Sequence, residues 1–100
     1  MIMEFIKNER KIKLIADEEE VGYITFYKSD GKLVVDHTYV NPLHRGKNYA
    51  RVLVDEVVKD ARKQGVLIVP LCPYVDKVLN NSPSFSDVLY KERAWKMLFF

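Results

Sequence analysis

The chain has 100 residues with a formal net charge of +2, and 48% of it is apolar. That is one small domain, expected to span residues 1–100, with enough apolar material for a core. A single cysteine excludes an intrachain disulfide and a multi-cysteine zinc site, the weak charge gives no reason to expect a nucleic-acid partner, and no apolar run nears the roughly 20 residues that span a bilayer. With no signal-peptide core after Met1, a cytoplasmic protein without metal or membrane partner is expected.

The first forty residues read as strands. Met3 to Glu9 and Lys11 to Ala16 alternate apolar and polar residues with almost nothing between them, which predicts a hairpin. "ADEEE" reads as a solvated acidic turn. Val21 to Lys28 is rich in β-branched and aromatic residues, and Ser29-Asp30-Gly31 is a hairpin turn leading into a fourth strand, Lys32 to Val40. Alternation along that strand puts Leu33, Val35, His37 and Tyr39 on one face.

Asn41 and Pro42 end the strand, because proline cannot donate to a ladder. A helix is predicted from about Asn48 to Gln64, with Ala50, Leu53, Val54, Val57 and Ala61 as its buried stripe and Gly65 as its exit. Val66 to Cys72 is wholly apolar, as a buried strand would be. Pro73 to Asn81 reads as a short second helix, Ser84 to Tyr90 is ambiguous, and residues 91–100 show an amphipathic helical pattern with Trp95 in core or interface. The expected fold is α+β: a mostly antiparallel mixed sheet in the order β-β-β-β-α-β-α.

The loop entering the long helix carries the functional signal. A helix's first turn leaves N–H groups without partners and bears partial positive charge, so phosphates bind there. Gly46 lets main chain approach an anion, Arg45 and Lys47 add charge, and Asn48 tolerates a left-handed backbone. The stretch fits neither a P-loop nor a dinucleotide G-x-G-x-x-G. It reads equally as a solvated basic loop capping a core helix.

Val40-Asn41-Pro42-Leu43-His44-Arg45-Gly46-Lys47-Asn48-Tyr49-Ala50 resembles the coenzyme A loop of the GNAT N-acetyltransferase superfamily. In that family a valine ends the fourth strand, a proline often follows two residues later, and then comes [Q/R]-x-x-G-x-[G/A]. Arg45 takes the first motif position and Ala50 the last, while Asn48 departs from the family's glycine. "DHTYV" together with "IVPLCPYVDKVLNNSPSFSDVLY" resembles the small YjdJ-type branch, a pattern covering residues 33 to 90. The resemblance implies the three-layer acyl-CoA N-acyltransferase fold without the two helices usually found between the first and second strands. It implies acetyl-CoA as co-substrate, with its pantetheine arm in a gap between the fourth and fifth strands, alongside Tyr39 and Val40. The pyrophosphate would rest on Arg45, Gly46, Lys47, Asn48, Tyr49 and Ala50, with the thioester pointing between His37 and Cys72.

Acyl transfer needs a nucleophile, a destination for its proton and donors for the oxyanion. Cys72 precedes a helix beginning at Pro73, and a helix N-terminus lowers a thiol's pKa. It reads either as an acetyl carrier, as a pocket wall beneath direct attack by an amine, or as a small buried hydrophobe. His37 reads as a general base or a structural histidine. His44 is expected to be exposed. Tyr74 reads as a general acid or as an aromatic packed on the coenzyme. The missing helices imply an open acceptor site, leaving the amine acceptor unnamed. The expected function is an acetyl-CoA-dependent N-acetyltransferase, monomeric or weakly dimeric; the alternative is a non-catalytic acetyl-CoA-binding module.

Overall fold

The computed structural model describes residues 2–91. Within them the chain forms β1 (Met3–Lys7), β2 (Lys11–Ala16), β3 (Glu19–Ser29), β4 (Lys32–Val40), α1 (Tyr49–Gln64), β5 (Ile68–Pro70) and α2 (Pro73–Asn80). Short 3-10 turns occupy Pro42–His44 and Pro83–Phe85. The strands form one sheet in the order β1-β2-β3-β4-β5. All neighbours are antiparallel except β4 and β5, the parallel pair that α1 connects. The helical pattern of residues 91–100 falls, but for Lys91, outside the described residues.

Most boundaries follow from local chemistry. Asp17 and Glu18 both take the left-handed conformation, at φ 50° and 71°, so two residues suffice to turn β2 into β3. β3 therefore starts at Glu19, earlier than the alternation suggests. Asn8 to Arg10 join β1 to β2 in place of two helices, with the Asn8 side chain accepting the Arg10 N–H at 2.8 Å.

α1 lays Tyr49, Leu53, Val54, Val57, Val58 and Ala61 on the sheet. They share one buried cluster with Ile12, Leu14 and Ile24 from the strands and Val75 and Leu79 from α2. Full burial of each such aliphatic side chain contributes roughly 1.5–3 kcal/mol. The expected stripe placed Ala50 in the core. The left-handed turn at Asn48 swings Tyr49 inward instead and leaves Ala50 half-buried at the helix mouth.

The apolar run Val66 to Cys72 yields only three strand residues. The Val66 N–H is taken by the Ala61 carbonyl in the helix exit, and the Leu71 N–H turns back to the Val69 carbonyl. β5 pairs with β4 only through Leu33–Ile68, Val34–Val69 and Val35–Pro70. Pro70 has no N–H to extend the ladder. The Cys72 N–H makes the last link, to the Val35 carbonyl at 3.0 Å, and β4 then runs on to Val40 without β5 beside it. The two strands fork at Val35. The ambiguous stretch after Pro83 lies along the far side of β5, with Ile68 bonded to Val88 and Tyr90.

The largest departure from the expected pattern is a bulge. Thr25 pairs with His37 and Phe26 with Val35, so Asp36 is an extra residue in β4. Its insertion reverses the alternation. Leu33 and Val35 face α1, but beyond the bulge Thr38 and Val40 take that side. His37 and Tyr39 point to the opposite face, beside Tyr23.

Candidate active site

Between β4 and the start of α1 lies a cleft of about 450 Å³, lined by Thr38, Val40, Arg45, Gly46, Asn48 and Tyr74 together with His44, Tyr49 and Ala50. Its floor is built by the loop. Asn41 accepts the Leu43 N–H at 2.9 Å and holds a tight turn after β4. Gly46 then reverses the chain at φ 84° and Asn48 does so again at φ 66°. A Cβ added to Gly46 would meet no protein atom within 4 Å. Glycine is therefore required there by its backbone angle, and the space beside it is open.

Asn48 is the N-cap of α1, yet its side chain makes no capping bond, and no acidic residue stands in the first turn. The helix thus directs main-chain donors and the positive end of its dipole into the cleft without compensation from side chains. Arg45 and Lys47 are exposed; Arg45 lines the cleft and Lys47 lies outside its lining.

His44 is not exposed as expected. Its Nε2 lies 3.1 Å from a Glu19 carboxylate oxygen, its ring is 6.3 Å from that of Tyr49, and its buried Nδ1 has no hydrogen-bond partner among the described residues. Anchoring to Glu19 pins the loop against the start of β3.

Cys72 is buried and forms the N-cap of α2 without a side-chain capping bond. Its Sγ lies 3.5 Å from Thr38 Oγ1, so the cleft wall formed by Thr38 stands directly against the thiol. Thr38 escaped the sequence reading because only the bulge brings it to this side. The same bulge separates His37 from Cys72, putting the two candidate catalytic groups on opposite faces of β4. Tyr39 likewise turns its ring away, stacked on Tyr23 at 5.2 Å, and can reach the gap only through its main chain. Tyr74, the second residue of α2, is 37% exposed at the rim. Burial pushes its phenol above the ordinary range; Arg51 opposes this, while Asp55 and Cys72 reinforce it. It is a protonated donor at neutral pH.

A larger cleft, about 560 Å³, opens at the far end of the sheet among Lys7, Arg10, Tyr27, Leu33, Asp60 and Gln64. It contains none of the motif residues.

The family model for GCN5-related N-acetyl-transferases matches residues 11–88, most of the chain. The chain belongs to that family. The fold agrees: an NMR structure of a GCN5-like N-acetyltransferase candidate from Staphylococcus aureus superimposes with a TM-score of 0.72 at 27% identity, covering 87% of each chain. The ribosomal-protein-alanine N-acetyltransferase of Brucella melitensis biovar Abortus 2308 gives 0.61 at 26% identity, over 71% of this chain and 60% of its own. PaiA N-acetyltransferase of Thermoplasma acidophilum, crystallised with coenzyme A, shares the fold at 24% identity, with a TM-score of 0.53 over 57% of this chain and 36% of its own. No curated protein matches the chain. Residues 11–88, which the family model matches, hold both the forked strands and the loop-to-helix entrance of this acetyltransferase domain. No described helix is long and apolar enough to cross a membrane.

Proposed function

We propose that the domain transfers an acetyl group from acetyl-CoA to an amine. The observation that carries this reading is the uncapped entrance of α1 beside a β4 edge that β5 has left. The first supplies donors for a pyrophosphate, and the second supplies an unpaired strand edge along which a pantetheine arm can lie. Arg45, Gly46, Asn48, Tyr49 and Ala50 form the phosphate side of the site, with Lys47 adding charge from outside. Val40, and Tyr39 through its main chain, form the arm's track, and Tyr74 closes the rim.

In the proposed reaction the neutral amine attacks the thioester carbonyl from the His37 side of β4. A C–N bond forms, the C–S bond breaks, and the amine's proton passes to His37 or solvent. The departing thiolate takes a proton from solvent or from Tyr74 at the rim, which is protonated at neutral pH and regains its proton from water. The place of Cys72 Sγ, 3.5 Å from Thr38 Oγ1 in the cleft wall, raises a second route: the sulfur takes the acetyl group as its own proton passes to the departing CoA sulfur, and the amine then attacks the acetyl-cysteine. The short β1–β2 connection leaves the acceptor side open, and a non-catalytic coenzyme-binding module would share the same cleft.

Titration with acetyl-CoA watched by amide NMR tests the site; shifts should centre on residues 40–50 and Tyr74. Release of free CoA thiol in the presence of an amine separates an enzyme from a binding module. Mass spectrometry of Cys72 after incubation with acetyl-CoA separates the two routes: an acetylated thiol supports the carrier, and full turnover by Cys72→Ala removes it. An entrance unmoved by millimolar acetyl-CoA refutes the whole reading.

A further inference from the structure

We propose that the sheet face opposite α1 is a peptide-binding surface that presents the acceptor amine at the fork, and that it takes peptides with carboxylates within about three residues of that amine. The acetyl-transfer half rests on the function proposed above; the binding half does not.

Alternation along β2 buries Ile12 and Leu14 against α1 and sends Lys11 and Lys13 to the opposite face. The bulge sends Asp36 and His37 to that same face. A cleft of about 450 Å³ forms there, with Arg10, Lys11, Lys13, Thr25 and Asp36 in its lining. Lys13 meets Glu20 at 3.6 Å. Arg10 and Lys11 have no carboxylate within ion-pair distance among the described residues. They lie instead over aromatic rings, Arg10 over Tyr27 at 5.8 Å and Lys11 over Tyr23 at 4.5 Å. The acid in the lining, Asp36, already accepts a 2.6 Å hydrogen bond from Thr25 Oγ1. The cleft therefore presents two cations that no carboxylate among the described residues satisfies, a charge pattern complementary to anions and repulsive to basic chains.

The spacing selects the ligand. His37 pairs across Thr25 with Lys11, and Asp36 is the first β4 residue past the last pair with β5. Adjacent strands stand about 4.8 Å apart, so Lys11 lies on the order of 10 Å from the fork. An extended peptide advances about 3.3 Å per residue. With its amine beside Asp36 and His37, its third residue reaches the Arg10–Lys11 pair. A basic footprint of three side chains interrupted by Asp36 and Glu20 fits a short acidic segment better than a polynucleotide backbone.

The test compares two peptides with free N-termini, Ala-Asp-Glu-Glu and Ala-Lys-Lys-Lys, by amide NMR on the full chain, with and without acetyl-CoA. The acidic peptide should shift Arg10, Lys11, Lys13, Thr25 and Asp36, more weakly as salt is added, and the basic one should not. The Arg10→Glu/Lys11→Glu variant, shown to be folded by unchanged amide dispersion in α1, should weaken binding by on the order of tenfold. With acetyl-CoA, the acidic peptide should be acetylated faster by a similar factor. Equal binding of both peptides, no shift at this cleft, undiminished binding by the variant, or stronger shifts from a polynucleotide would overturn the surface. Binding here without acetyl transfer, in a protein that also ignores acetyl-CoA, overturns the proposed function and leaves the peptide surface standing.

Discussion

At its C-terminal end α1 is closed by the protein's own groups. Gly65, at φ 69°, returns its N–H to the Arg62 carbonyl, and the Val66 N–H reaches the Ala61 carbonyl. Arg62 in that last turn forks onto both carboxylate oxygens of Asp87 at 2.9 and 3.0 Å and donates to the Ser84 carbonyl. At its N-terminal end the same helix has an N-cap whose side chain caps nothing, no acid in the first turn and an open cleft in front. An N-cap in the extended region whose side chain bonds the first turn is worth about 1 kcal/mol, which the left-handed angle of Asn48 forgoes. The difference teaches that the closed end fixes the element, while the open end leaves its donors without a side-chain cap among the described residues, as the proposed coenzyme site requires.

The strongest way to break the open end leaves α1 untouched. A Cβ at Gly22 would stand 2.4 Å from the Tyr39 carbonyl oxygen and 3.2 Å from Val40 Cα, both main-chain atoms. Gly22→Ala must therefore displace the end of β4, at a cost in the upper part of the 1–3 kcal/mol range typical of overpacking. Because Tyr39 and Val40 border the proposed coenzyme track, affinity for acetyl-CoA should fall along with stability. Urea denaturation and an NMR titration measure the two losses separately, and unaltered coenzyme affinity would remove the β4 end from the site. Gly65→Ala breaks the closed end. A Cβ there meets no neighbour, so the cost is the left-handed angle alone, about 1–2 kcal/mol or several degrees in Tm. Coenzyme binding should not change.

The order of strands and helices was legible because alternation, turn chemistry and the three- and four-residue stripe of α1 agree with one another. The backbone of the loop was legible because Gly46 and Asn48 are residue types that accept left-handed positions, though residue type alone left a phosphate cradle and a solvated capping loop equally open. What alternation could not show was the bulge: inserting Asp36 changes no residue type, only which face each later residue takes. Strict alternation therefore puts His37 on the α1 side with Val35 and sends Thr38 to the other, the reverse of what the bulge produces. The fork is a similar case. Pro70 signals an interrupted ladder in hindsight, but within "VLIVPLC" it sits among residues that all favour a buried strand.

A smaller effect should appear at the closed end on acidification. The hydrogen bond from Arg62 holds the Asp87 carboxyl below its ordinary range; partial desolvation works against this, and the positive charge of Arg62 adds to it. A depressed folded-state pKa means that the unfolded chain binds the proton first as pH falls. The stabilisation is thus complete above the unfolded value of about 3.9 and is lost as pH drops through the folded value. Both groups are solvent-exposed, so the change should be slight. In Arg62→Gln the acid-side slope of Tm below about pH 4 should flatten. Persistence of the full wild-type slope would show that other carboxylates set it.

The smallest effect expected is also the most discriminating for the open end. Asn48 holds φ 66° without using its side chain as a cap. If it serves only to turn the backbone, Asn48→Gly keeps the angle at no steric cost, and the added freedom of the unfolded chain offsets any relief of strain. Stability should then stay within about 0.5 kcal/mol and acetyl-CoA affinity within about threefold. A loss of tenfold or more in affinity, about 1.4 kcal/mol, with unchanged stability would assign the amide side chain itself as a donor to the coenzyme. The open end would then be completed by a side chain after all, and its contrast with the closed end would lie in which molecule supplies the partner.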